Sequence, residues 1–191
     1  MRTSEKKRET RETRVRVQLN LDGVGASRVD TPMAFLNHML TSLSTHSMID
    51  LTVEASGDLS HHIVEDVALV LGDAMREALG DASGITRFAS AAVPMDESLA
   101  EAAIDLSGRP YSVISLGTRG ERVEDMACED AEHFLMSLAS SARITLHVNV
   151  RYGGNDHHRI EAAFKALALC LRGATRLDPA RTGAPSSKGV L

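Results

Sequence analysis

The pattern His-His-x-x-Glu occurs twice in this chain of 191 residues. It reads His61-His62-Ile63-Val64-Glu65 and then His157-His158-Arg159-Ile160-Glu161, 96 positions later. Each copy opens a segment with helical apolar spacing. Further back, the run from His38 aligns with the run from His133 at an offset of 95, matching Leu40 with Leu135, Leu43 with Leu138, Ile49 with Ile144 and Leu51 with Leu146. The run from Glu12 aligns more weakly with the run from Glu97 at an offset of 85, closing on Leu21/Leu106 and Gly23/Gly108. A histidine, an apolar helix, a strand and the His-His motif recur in one order. We read two homologous halves, roughly residues 8–86 and 88–176, forming a single unit.

Local patterns give both halves the same elements. Arg14 to Leu21 alternates polar residues with Val15, Val17, Leu19 and Leu21, a period-two strand stopped by Asp22-Gly23. Thr31-Pro32 opens a helix to Ser44 that carries His38, and Ile49 to Ala55 reads as a strand. His61 to Leu79 is a helix with its apolar face at Ile63, Val67, Val70, Leu71, Ala74 and Ala78, stopped by Gly80. The second half offers a strand near Ala102 to Leu106, an extra strand or hairpin at Tyr111 to Arg122, a helix from Glu129 to Ala139, a strand at Ile144 to Arg151 and a helix from His157 to Arg172. The expected class is α+β, each half a small sheet with helices packed on one face. The tail, 177–191, rich in Pro, Gly and Ser, reads as extended.

Composition excludes several functions. With 43% hydrophobic and 25% charged residues the chain buries a real core. Aromatic residues make up only 3%, with no Trp, so stacking platforms for single-stranded nucleic acid are missing, and a net charge of −5 argues against a phosphate-backbone partner. No apolar run is long enough to span a membrane, and the N-terminus lacks the apolar core of a signal peptide, so a cytoplasmic protein is expected. Cys128 and Cys170 belong to no Cys-x-x-Cys motif and read as small apolar side chains in a reducing compartment.

The duplicated motif points to metals. On a helix Glu65 lies about 60° from His62 and about 40° from His61 around the axis, whereas the two histidines diverge by about 100°. Each histidine is therefore placed to serve a different ion. With His38 and His133, the duplicated set becomes His38, His61, His62, Glu65, His133, His157, His158 and Glu161, four protein ligands for each of two ions. The absence of cysteine ligands disfavours structural zinc, and the scarcity of carboxylates disfavours calcium or magnesium, leaving Mn, Fe, Zn, Co or Ni. His46 and His147 pair with Ser141 and Thr52 in the repeat, so they fall outside this set. His147 reads as a hydrogen-bonded strand residue, and His46 as a residue able to reach a substrate.

These residues, with LNLDGVG, FLNHML, HHIVED, the GITRF segment ending at Phe88, VPMDESLA, DLSGRPY, the run from His157 to Ala166 and the terminal PSSKGVL, resemble the imidazoleglycerol-phosphate dehydratases of histidine biosynthesis. The resemblance covers nearly the whole chain. It implies a duplicated α+β unit, trimers building a 24-subunit homo-oligomer, active sites between subunits and two Mn²⁺ in each. It implies the same eight ligands, and substrate contacts by Glu12, His46, Arg87, Arg109, Lys165, Ser187 and Lys188, the last two in the tail. Asn37 stands where the family has Asp, Ile63 where it has Thr, and the loop between Asp58 and His61 lacks several acidic residues.

The implied substrate, a small phosphorylated imidazole, must lose a hydroxyl beside its ring and a proton from the next carbon. Two Lewis acids on the ring nitrogens would stabilise an imidazolate able to expel the hydroxyl. Glu12 is the first choice as acid/base because it matches the substrate-contacting Glu that the resemblance implies and lies outside the ligand set, with metal-bound water and Glu161 as rivals. Arg87, Arg109, Ser187 and Lys188 suit a phosphate monoester. Glu97, the repeat partner of Glu12, reads as a surface charge. A binuclear phosphoester hydrolase and a non-catalytic, metal-assembled shell protein are the competing readings.

Overall fold

The computed structural model describes residues 1–187. The first half runs β1 (Thr3–Glu9), β2 (Thr13–Asn20), β3 (Ser27–Asp30), α1 (Ala34–Ser47), β4 (Asp50–Gly57) and α2 (Ser60–Leu79). The second runs β5 (Phe88–Met95), β6 (Ser98–Asp105), β7 (Tyr111–Ser115), a short hairpin of β8 (Arg122–Val123) and β9 (Met126–Ala127), then α3 (Cys128–Ala142), β10 (Thr145–Tyr152) and α4 (Asp156–Thr175). Each half forms one four-stranded sheet, ordered β1-β2-β4-β3 and β5-β6-β10-β7. Both sheets are antiparallel except for their last pair, β3 with β4 and β7 with β10, which is parallel.

Matching positions do matching work. Val15, Val17, Leu19 and Leu21 are buried against the helices, as are Ala100, Ala102, Ile104 and Leu106, 85 residues on. Leu36, Met39, Leu40 and Leu43 of α1 correspond to Ala131, Phe134, Leu135 and Leu138 of α3, all buried. The four helices lie between the two sheets and cross-pack, α1 against α4 and α2 against α3, so both halves share one core. At the α2–α3 contact a Cβ on Gly72 would stand 2.7 Å from the Ala142 nitrogen, which only glycine avoids.

Several strands depart from the sequence reading, which left β3, only four residues long, unassigned. β1 has no apolar residue to mark it; it is an edge strand whose side chains alternate between half-buried and exposed. β5 shows a faint pattern because two of its four half-buried positions are Ala and an exposed position is Phe88. The extra element is not β7, which is the counterpart of β3, but the β8–β9 hairpin that follows it. Near the C-terminus, Asp178 donates its N–H to the Gly84 carbonyl and Gly84 donates to Gly183. Lys188 lies outside the described residues. Both cysteines are free and buried, and burial pushes the Cys170 thiol up to about 11. Among the described residues no helix is long and apolar enough to cross a membrane.

Candidate metal centre

The cross-packing brings the duplicated histidines together in two groups. His38 of α1 meets His157 and Glu161 of α4, and His133 of α3 meets His61 and Glu65 of α2. Within each group the possible ligand atoms all lie within 4.8 Å of one another. In the first, Glu161 Oε2 stands 3.3 Å from both His38 Nε2 and His157 Nε2. In the second, His133 Nε2 lies 3.6 Å from Glu65 Oε1, and the His61 and His133 ring centroids are 4.9 Å apart. Among the described residues His133 Nε2 is buried without a hydrogen-bond partner. A buried ring nitrogen without a partner at the centre of such a group fits a cation ligand.

His62 and His158 diverge from these groups, as adjacent helical positions require. Every histidine of the two motifs nevertheless has a carboxylate at Nδ1: His61 has Asp130 at 2.6 Å, His62 has Asp58 at 2.8 Å, His157 has Glu124 at 3.2 Å and His158 has Glu97 at 2.7 Å. A carboxylate at Nδ1 holds the proton there and leaves the Nε2 lone pair for a metal. Sequence reasoning passed over Asp58, Glu124 and Asp130. Only Asp58 carried a local signal, four residues before His62.

Charge pairing leaves its mark on these groups. The hydrogen bond from His62 holds the Asp58 carboxyl below the usual range, and the same bond raises the His62 imidazole. Glu97 is pulled far down by His158 and by the N–H groups of Asn155 and Gly154, while His158 is raised by Glu97. Glu97 is a surface charge, 46% exposed, that also accepts the N–H groups of Gly154 and Asn155 just ahead of α4, whose own N-cap is Asn155. Burial pushes the Glu161 carboxyl up, but the Lys165 ammonium at 2.7 Å and His38 outweigh it, and the net shift is downward.

The other candidates are spread over the molecule. Glu12 sits exposed at the turn between β1 and β2, its Oε2 3.8 Å from His62 Nδ1. Lys165 is engaged with Glu161. His46 is half-buried in the last turn of α1, eight residues or about 12 Å along the helix from His38. His147 lies within β10, as read from the sequence, paired with Ala103 of β6 and Val113 of β7, its side chain exposed on the outer face of the second sheet. Arg87, with φ of 77°, donates to both oxygens of Asp105 at 2.7 and 3.1 Å and to the Pro185 carbonyl at 2.8 Å. Arg109 is largely exposed with a nitrogen 3.9 Å from Asp105, and Ser187 is exposed nearby in sequence to Pro185. The Arg87 N–H bonds the Ala174 carbonyl at the far end of α4. Seventeen helical residues, about 26 Å, therefore separate that cluster from His157.

Two substitutions in the family motifs find local roles. Asn37 accepts from the Thr31 N–H and hydroxyl and donates to the Thr31 carbonyl at 3.0 Å, the last a bond that Asp does not make. Ile63 is buried in the core.

A family model described as imidazoleglycerol-phosphate dehydratase matches residues 31–171. A curated imidazoleglycerol-phosphate dehydratase of Methanothermobacter thermautotrophicus is 54% identical across 100% of this chain and 98% of its own length. Another, of Dehalococcoides mccartyi, is 49% identical over 100% of this chain and 97% of its own. Among solved structures, the dehydratase of Staphylococcus aureus aligns with a TM-score of 0.85 at 35% identity, covering 92% of this chain and 99% of that one. The Pyrococcus furiosus enzyme, solved in complex with (S)-C348, aligns with a TM-score of 0.84 at 34% identity over 97% and 100%. The repeated α+β architecture, the paired histidine groups and these full-length likenesses have one meaning: the chain belongs to the imidazoleglycerol-phosphate dehydratase family of hydro-lyases.

Proposed function

We propose that the chain converts D-erythro-imidazoleglycerol phosphate to imidazole-acetol phosphate in histidine biosynthesis, in the cytoplasm, and that it does so with two Mn²⁺ in each active site. The observation that carries the metal dependence is the pair of three-residue groups, each joining two histidines to one glutamate. The bare, buried Nε2 of His133 supports it, as do the carboxylates seated on Nδ1 of the motif histidines. His38, His157 and Glu161 would hold one ion, and His61, Glu65 and His133 the other. Bound there, divalent cations supply Lewis acidity to the nitrogens of an imidazole ring.

The chain's own side chains carry the rest. Glu12, exposed and, among the described residues, approached through its carboxylate only by His62 at 3.8 Å, moves the proton at the carbon next to the departing hydroxyl. Lys165 keeps Glu161 ionised. Arg87 and Arg109, with Ser187 and Lys188, take the phosphate, and two of the five N–H donors of Arg87 remain uncommitted by Asp105 and Pro185.

A separation of about 26 Å between Arg87 and His157 far exceeds the length of so small a substrate. Metal groups and phosphate cluster must therefore come from different copies, in keeping with a 24-subunit homo-oligomer built from trimers. His62 and His158, each with Nε2 outside its own chain's groups, then supply the fourth ligands to a neighbouring copy. The test is to incubate Mn²⁺-loaded protein with imidazoleglycerol phosphate and follow ketone and free phosphate separately. Ketone without phosphate release is expected; phosphate release, or no ketone, would overturn the reading.

A further inference from the structure

The two halves superpose in sequence at an offset of 85 through their second strands and 95 from His38 and His133 onward. Three residues join β3 to α1, but twelve join β7 to α3, and the surplus is the β8–β9 hairpin. Val123 and Met126 bury this hairpin in the core, and Cys128 donates its N–H to Glu121 at its base. Its tip presents two acidic residues. Glu124, with φ of 50°, meets His157 Nδ1 at 3.2 Å. Asp125 accepts the Ala34 and Phe35 N–H groups at 2.5 and 3.0 Å, the first turn of α1.

Helix α1 needs that acid. It has no acidic residue in its first turn, and its N-cap, Met33, offers no side-chain bond. Helix α3 is its counterpart and carries Glu129 and Asp130 in its own first turn, Asp130 also being the partner of His61. So α3 contains within itself what the other group receives from the inserted hairpin: an anion at the helix start and a carboxylate on the histidine Nδ1. Glu124 and Asp125 grip the two helices that bring His38 and His157 together. Phe35, whose N–H Asp125 holds, packs its ring edge-on to His157 at 5.0 Å.

We propose that the β8–β9 hairpin is a positioning device for one metal group only: Asp125 sets α1 and Glu124 sets the His157 ring, so that His38, His157 and Glu161 converge, while the His61, Glu65 and His133 group is independent of it. This rests on the metal reading above. The test is calorimetric titration of the full chain, stripped and then supplied with Co²⁺ alone, with the d–d absorption band recorded at each step. The unaltered chain should bind two equivalents tightly. Asp125→Ala, and Glu124→Ala at a side chain 60% exposed whose loss leaves folding intact, should each weaken one equivalent by roughly 10- to 100-fold and leave the other unchanged. Asp125→Asn, which keeps an acceptor oxygen, should recover most of the loss. In a His38→Ala background the remaining equivalent should not respond to Asp125→Ala, but should weaken with Asp130→Ala. Weakening of both equivalents, or of neither, overturns the hairpin's role while leaving the metal reading standing. An unaltered chain that binds no Co²⁺ overturns both.

Discussion

Replacing Asp66 by Ala should loosen the turn that carries Glu12. The Asp66 carboxylate lies at the edge of the core, 8% exposed, where it accepts from Arg8 Nε at 2.8 Å and from the hydroxyl of Thr13, itself 3% exposed. Thr13 Oγ1 also lies 3.3 Å from Thr10 Oγ1, which accepts the Glu12 N–H at 3.1 Å. The chain of contacts therefore runs from α2 to the backbone of Glu12. The Arg8 pair is half exposed and contributes about 0.2 to 1 kcal/mol. The buried hydroxyl-to-carboxylate bond contributes about 1.5 to 3 kcal/mol. Their joint loss, about 2 to 4 kcal/mol, corresponds to a drop in Tm of roughly 5 to 15 °C in a chain of this size. Thr13→Val breaks the same buried bond from the other side. A double-mutant cycle on urea unfolding of the metal-free protein should thus return a coupling of about 1.5 to 3 kcal/mol. The Asp66→Ala protein should also lose kcat with its Co²⁺ binding unchanged, because Glu12 lies outside both three-residue groups and the close Nδ1 partner of His62 is Asp58 at 2.8 Å, with Glu12 farther off at 3.8 Å. If the two substitutions add to within about 0.5 kcal/mol, Asp66 and Thr13 act independently and the anchor does not exist.

Two further outcomes are expected. Asp50 is held below the usual carboxylate range by the N–H groups of Val24 and Ala26, so its stabilisation is complete above its unfolded pKa and is lost as pH falls through the lower folded value. Asp50→Asn should accordingly flatten the decline of Tm between about pH 5 and pH 2, and parallel curves for the two proteins would count against this account. Deleting residues 186–191 removes Ser187 and Lys188; kcat/KM should fall by roughly 10- to 100-fold, the weight of one charge-assisted contact to phosphate, with metal content intact. Normal turnover of the truncated chain at low substrate would assign the phosphate to Arg87 and Arg109.

Residues that act through short-range periodicity were legible from the sequence. The period-two run at Val15 to Leu21 and the helical faces around Ile63 and Ile160 report burial directly, and the duplication selects eight residues of which the fold gathers six into two groups, leaving His62 and His158 outside them. Their pairing was not legible, because it depends on α1 crossing to α4 and α2 to α3, and no local pattern encodes which helix packs on which. The carboxylates on Nδ1 escaped for a similar reason. Asp130 is 69 residues from His61, Glu124 is 33 from His157 and Glu97 is 61 from His158. β1 escaped because an edge strand with no apolar residue has no alternation of hydropathy to betray it.

The crossed packing of the helices also constrains ancestry. A single half, as a free chain, carries one helix with a single histidine of the metal groups and one with the His-His motif, and these do not meet, since each finds its partner in the opposite half. Such a chain has no metal group of its own. Two copies about a twofold axis would complete two identical groups at once. In one polypeptide each group is free of that symmetry. Glu12 and Glu97 show that freedom: they stand at equivalent places, yet one is left exposed at a turn, and the other is spent on three hydrogen bonds at the start of a helix.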